Sequence, residues 1–308
     1  VTFTVYKVNG LDLTQTNSWD GLKDYQVPSD TIASSTLTIN NKKYTLTQQG
    51  DPVVTANGGL ATAGGLPVGA YVVIETAHPA NVVDIAQPFL VTIPYPDNQG
   101  TSATNGWLYD VNVYPKNGTT TIKKTVSPQG DLGLGSVASF PTTTDIPAIA
   151  DNANFSYYMV SDPMDPRLTN VTASSVTVGG TAVYTTYYTV DTTSNTVTVS
   201  FTQAGLAWLK TQAGKQVVTT FTGTVASLGD GAVKNTANLY VDTQVSPNPP
   251  TPPVTPPVNP PNPPIPSNEI KQYWGDLKIQ KLDAGDKSAA LQGATFEVYE
   301  AKDPYAAT

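Results

Sequence analysis

Three polar residues stand where strand alternation calls for apolar ones. In Thr121-Ile122-Lys123-Lys124-Thr125-Val126, Lys124 shares parity with Ile122 and Val126. In Val233-Lys234-Asn235-Thr236-Ala237-Asn238-Leu239-Tyr240-Val241, Asn235 shares parity with Val233, Ala237, Leu239 and Val241, and in Tyr158-Met159-Val160-Ser161-Asp162, Asp162 lines up with Tyr158 and Val160. Such positions face a core if the segments are strands. A lone buried Lys, Asn or Asp is costly, but the three together can react. Apolar surroundings favour the neutral amine, which is nucleophilic, and the neutral carboxylic acid, which can polarise an amide and carry protons. Amine and carboxamide held in contact can condense with loss of ammonia. Each residue also has an ordinary reading: a snorkelling lysine, a turn-capping amide, a turn starter before Pro163. Lys123 competes with Lys124, because a bulge or one-residue slip exchanges their faces.

A fourth residue points the other way. Over Trp107 to Asn117, Trp107, Tyr109, Val111 and Val113 fall on one face while Asp110 and Asn112 fall on the other. Continuing that parity puts Lys116 on the polar side, just after Pro115, which ends ladder pairing. Spacing alone describes an ordinary solvated lysine at a strand end.

The elements that must position these residues are strands. Only 13% of the 308 residues are charged, and Thr, Val and Tyr, which favour half-buried pleated surfaces, recur throughout. The length allows two or three domains. Residues 121 to 242 contain alternating runs from Val171 onward, from Tyr184 to Val190 and from Val197 to Phe201, separated by Gly, Asn and Asp turns. That pattern predicts a sandwich with Greek-key wiring, with a short helical turn where Leu206, Leu209 and Lys210 follow at helix spacing. Residues 247 to 266 carry 12 prolines, which favour an extended polyproline path and predict a semi-rigid spacer. Thr2-Phe3-Thr4-Val5-Tyr6 is repeated as Thr295-Phe296-Glu297-Val298-Tyr299, which implies two domains of one type. The second copy follows a strand-like stretch, Gly275 to Asp283, with no counterpart before Val1. Residue 1 is therefore expected not to be a natural domain start, and the chain to stop inside its third domain. The expected divisions are 1–117, 118–245, a linker at 246–268, and 269–308.

Composition also excludes chemistries. There is no Cys, hence no disulfide, thiolate catalysis or thiolate metal site. A single His, His78, leaves most hydrolase triads and histidine metal sites without their parts. The net charge of −8 and the lack of a basic cluster argue against nucleic acid as a partner. No apolar run is long enough to span a membrane. No metal or cofactor is expected, and no spacing singles out a catalytic carboxylate pair.

WLYDVNVYPKN, residues 107–117, resembles the pilin motif of backbone pilins from Gram-positive sortase-assembled pili. The resemblance implies tandem immunoglobulin-like, collagen-adhesin-type β-sandwich domains in an all-β chain. It implies that Lys116 attacks the acyl-enzyme formed when a sortase cleaves the sorting signal of the next subunit, joining subunits covalently. It also implies Lys-to-Asn isopeptide bonds, in which Lys124 is the nucleophile, Asn235 the amide and Asp162 the assisting acid. Gly65 to Thr76 resembles the E-box of these pilins, so Glu75 is a candidate assisting acid, although no lysine donor is visible and a structural role serves as well. KIQKLD followed by GATFEVYE resembles the opening of a collagen-adhesin-B-like domain, with Lys281 a second nucleophile whose partner lies beyond Thr308. The implied partners are identical subunits, a pilin-specific sortase, minor pilins and host surface ligands, and the implied location is the cell-wall-anchored surface. No LPXTG-like sorting signal occurs in the chain. The implied function is a structural shaft subunit with no enzymatic turnover; the competing reading is a pilus-associated or cell-wall adhesin that binds a host ligand.

Overall fold

The computed structural model describes all residues except 29–30, 98–99, 101–105, 128–132, 230, 246–251, 253–256, 258–259, 274–277 and 298–308. In the first unit, Asn40 and Asn41, at φ of 48° and 62°, turn the chain between two strands. Two consecutive left-handed residues give the tight hairpin whose twist matches its flanking strands. The strands are β1 (Thr2–Asn9), β2 (Thr36–Ile39), β3 (Lys42–Gln48), β4 (Gly69–Ala77), β5 (Val82–Asp84) and β6 (Phe89–Ile93). They form an antiparallel sheet in the order β2-β3-β1-β4-β6, while β5 pairs separately with β7 (Gly118–Thr119). Val8, Leu37, Ile39, Ala70, Val72 and Ile74 supply its core.

The second unit is a sandwich of two antiparallel sheets. One runs through β8 (Ile122–Lys124), β9 (Val137–Asp145) and β11 (Leu168–Val178), and the other through β10 (Ala153–Pro163), β12 (Tyr188–Thr193) and β13 (Thr196–Phe201). After the helix Gln203–Lys210 come β14 (Gln216–Val225), β15 (Ala232–Asn235) and β16 (Asn238–Val245). The sheets are ordered β8-β9-β14-β11 and β12-β13-β10-β16. β14 alternates strictly, burying Val217, Thr219, Phe221 and Val225 against Phe155, Tyr158, Val160, Val197 and Val199 of the facing sheet. Alternating strands with apolar inner faces are what a sandwich core requires. The all-β class and its immunoglobulin-like organisation are as the sequence predicts.

Several elements differ from the sequence reading. Tyr184 does not begin a strand: Thr185–Tyr187 is a 3-10 turn and the strand starts at Tyr188. The run from Val233 to Val241 keeps its parity but breaks at Thr236-Ala237. There the Ala237 carbonyl accepts from Ser267 N–H and its N–H donates to Ser267 Oγ, and the chain passes from one partner strand to another. The proline-rich stretch does not end as a free spacer. β17 (Ile265–Pro266) pairs with β16, and β18 (Ile270–Tyr273) pairs with β15. Residues 278–283 form no strand, and among the described residues they pair only through the isolated bridge Leu282↔Ala290. Gly275, Asp276, Leu277, Val298 and Tyr299 of the sequence repeat and its lead-in lie outside the described residues.

Candidate functional site

Lys124, Asp162 and Asn235 meet inside the second unit. They are 1%, 0% and 2% exposed. Lys124 ends the short edge strand β8 opposite Thr142, whose side chain is also buried. Its amine lies 5.5 Å from the Phe140 ring centroid and 5.3 Å from that of Phe221, and it donates to Asp162 Oδ2. Asn235 Nδ2 donates to the same oxygen at 3.4 Å and approaches Met164 Sδ at 3.6 Å. The amine and the leaving nitrogen of the amide thus share one carboxyl oxygen. Lys123, the competitor, is exposed on the opposite face of β8.

Burial pushes the Lys124 amine below the ordinary lysine value, against the pull of the neighbouring carboxylate. Burial likewise pushes Asp162 up, against Lys124 and the Asn235 hydrogen bond. Both directions favour a neutral amine beside a neutral acid over a buried ion pair, whose desolvation is costly. Asp162 Oδ1 and Asn235 Oδ1 are buried with no hydrogen-bond partner. An ionised Asp162 only accepts, whereas a protonated one also donates. The cluster thus brings an amine, a carboxamide and a carboxyl group together beside two aromatic rings, out of reach of solvent.

Residues that sequence reasoning missed hold the cluster in place. Asn195, at the positive-φ turn between β12 and β13, donates to the carbonyls of Met164, Asp165 and Leu168, fixing the loop that follows Asp162. Arg167, braced on Asp165, donates to the Ala232 carbonyl at the start of the strand that ends in Asn235. Asn268 bonds both backbone groups of Lys124, accepting from its N–H at 2.9 Å and donating to its carbonyl at 3.0 Å. An Asn two residues past a proline run carries no visible signal for this role.

Lys116 lies elsewhere, exposed at the junction of the two units. Its strand is shorter than the alternation suggests. Only Trp107–Leu108 pairs, and residues 109–117 cross the face of the first sheet without a ladder partner. Tyr109, Asp110, Val111, Asn112 and Val113 together line a groove of about 260 Å³ with Phe3, Val73, Phe89 and Val91, and Tyr109, Val113 and Tyr114 are all exposed. The alternation of this stretch does not sort its side chains into a buried and an exposed face, because no ladder fixes them there. Glu75 is buried, with one oxygen accepting from Ala86 N–H at 3.1 Å and the other from Asn117 Nδ2 at 2.9 Å. Both carboxylate oxygens are thus engaged by amide donors and neither meets a lysine; the contacts are structural and tether the residue next to Lys116. Lys281 does not face a core. It is exposed, and its amine reaches the Leu282 carbonyl at 3.4 Å.

A sandwich unit with a buried Lys-Asp-Asn cluster, following a unit that ends near an exposed Lys116, is the arrangement expected from the resemblance to backbone pilins. Residues 1–118 match the family described as Gram-positive pilin subunit D1, N-terminal domain, and the chain is similar to known pilins along its length. It is 41% identical to fimbrial subunit type 2 of Actinomyces naeslundii over 317 residues, covering 100% of this chain and 59% of that protein. The full-length major pilin SpaD of Corynebacterium diphtheriae superposes with a TM-score of 0.68 at 27% identity, over 94% of this chain and 63% of that one. The major pilin SpaA of the same organism gives 0.53 at 25% identity, over 89% and 64%. The chain therefore spans less than two thirds of the length of each of these relatives. Among the described residues no helix is long and apolar enough to cross a membrane, and no group of acidic or histidine side chains is placed to hold a metal.

Proposed function

We propose that this chain is a shaft subunit of a covalent surface pilus, locked internally by a Lys124–Asn235 isopeptide bond and joined to its neighbour by a sortase through Lys116. The observation that carries this reading is the convergence of Lys124, Asp162 and Asn235 in one water-excluded cluster. In the internal reaction the Lys124 amine attacks Asn235 Cγ. The C–N bond forms, the Cγ–Nδ2 bond breaks, and ammonia leaves with the proton that Asp162 relays from the amine. Asp162 ends as it began and acts once on its own chain. Contact between the reacting groups converts a bimolecular condensation into a positioned intramolecular one.

The external reaction needs the opposite environment. An exposed amine can intercept a thioester that a sortase presents, with the enzyme supplying orientation and base. Lys116 meets that requirement, and its relative SpaA is described as pointing to a modular pilus assembly with stabilising isopeptide bonds. The test is transfer of a sorting-signal peptide by a pilin sortase. The wild-type chain should accept the peptide and Lys116→Ala should not. Undiminished transfer to Lys116→Ala would remove Lys116 from the joint.

A further inference from the structure

We infer that the segment Ser267–Tyr273, which follows the proline run, is a positioning element for the Lys124–Asn235 condensation. This rests on the reading that the bond forms. The two reacting residues come from strands that do not pair with each other. β8 is an edge strand bonded on one side to β9, and β15 belongs to neither large sheet. What lies against both is this segment. Asn268 uses its side-chain amide as a strand would use its backbone, closing a two-bond ring with Lys124 N–H and C=O. Two residues on, Ile270 stands opposite Asn235 in the β15–β18 ladder, with Gln272 buried opposite Val233. Ser267 secures the approach by accepting and donating at Ala237. One stretch of seven residues therefore fixes the backbone under both the nucleophile and the electrophile.

The chemical consequence follows from how steeply such reactions depend on geometry. A displacement of about 1 Å can cost on the order of 100-fold in rate. Without Asn268, the last residue of a three-residue edge strand loses the backbone contact on its open side, and its backbone is held by β9 alone. Asn268 touches neither reacting atom; it acts through the Lys124 backbone and is a positioning residue.

The experiment is a time course of intact mass on the full chain made by cell-free synthesis, with folding followed in parallel by circular dichroism. Asn268→Ala should fold and yet lose ammonia at least about tenfold more slowly than wild type. Asn268→Asp keeps the shape and an acceptor for Lys124 N–H but sets an oxygen against the Lys124 carbonyl; it should also be slow, and it decides the matter if the alanine variant fails to fold. Leu209→Ala, a core change on the helix that ends beside Ala153, at the far end of β10 from Asp162, controls for general loosening and should crosslink at the wild-type rate. A folded Asn268 variant that reaches the crosslinked mass as fast as wild type overturns the inference and leaves the bond intact. A wild-type chain that stays at its sequence mass overturns the bond and, with it, this role for the segment.

Discussion

A lysine and an aspartic acid in contact beside two phenylalanine rings are poised differently from the same pair in water. Desolvation weakens the charged form of each, so the proton count of the pair, not the charge of either residue, governs reactivity. Bond formation should therefore show a bell-shaped dependence on pH. The acid limb arises when a second proton charges the amine while Asp162 is neutral, and the alkaline limb when the remaining proton is lost and no acid is left to assist. Mass-resolved rates across the pH range would show it, and a flat profile would contradict the pair as the reacting unit. Asp162→Asn keeps the volume and removes the titration. That variant should fold and remain at its sequence mass, read by mass spectrometry under native conditions. Lys116, exposed and outside any such pocket, is a different chemical object from Lys124 although only a few residues separate them.

At the scale of strands, parity made the interior cluster legible. Lys124, Asp162 and Asn235 each keep step with apolar neighbours, and a two-residue period is a local property that sequence displays directly. Partnership is not local. Asn268 meets Lys124 across 144 positions, and it does so with a side chain standing in for a strand, which no periodicity encodes. The same limit bears on Tyr109 to Asn117, an alternating stretch with no ladder partner among the described residues, and on Lys281, which keeps step with apolar neighbours yet is exposed. The element that sets Lys116 is the β5–β7 pair. Gly118 in β7 sits where an added Cβ would lie 2.6 Å from the Ala148 carbonyl oxygen and 2.8 Å from Asp84 Cβ. Gly118→Ala must therefore push the strand off its partner. It should cost about 1–3 kcal/mol by thermal denaturation and slow peptide transfer to Lys116, whereas unchanged stability would show that the junction yields freely.

Across the whole molecule the two units are joined by buried contacts. Val83 from the first unit enters the core of the second. Asp84 accepts from Ala150 N–H at 2.8 Å and from the Thr243 hydroxyl at 3.1 Å. A subunit built this way can pass tension from one unit to the next without a free hinge between them. The proposed bond then closes the chain from residue 124 to residue 235, so a pull on the ends bypasses everything between. By analogy with a disulfide that closes a loop of about 100 residues, constraint of the unfolded chain contributes about 5 kcal/mol. Lys124→Ala forgoes that and should melt roughly 10–20 °C lower than wild type by calorimetry. Equal melting temperatures would mean that no covalent link is lost.

The most direct test of the central claim is the intact mass of the purified wild-type chain, followed by fragmentation of its proteolytic peptides. The account predicts a mass short of the sequence value by one ammonia, with a branched peptide joining Lys124 to Asn235, and the full sequence mass in Asn235→Ala. A wild-type mass equal to the sequence value, with Lys124 and Asn235 recovered in separate linear peptides, would contradict it.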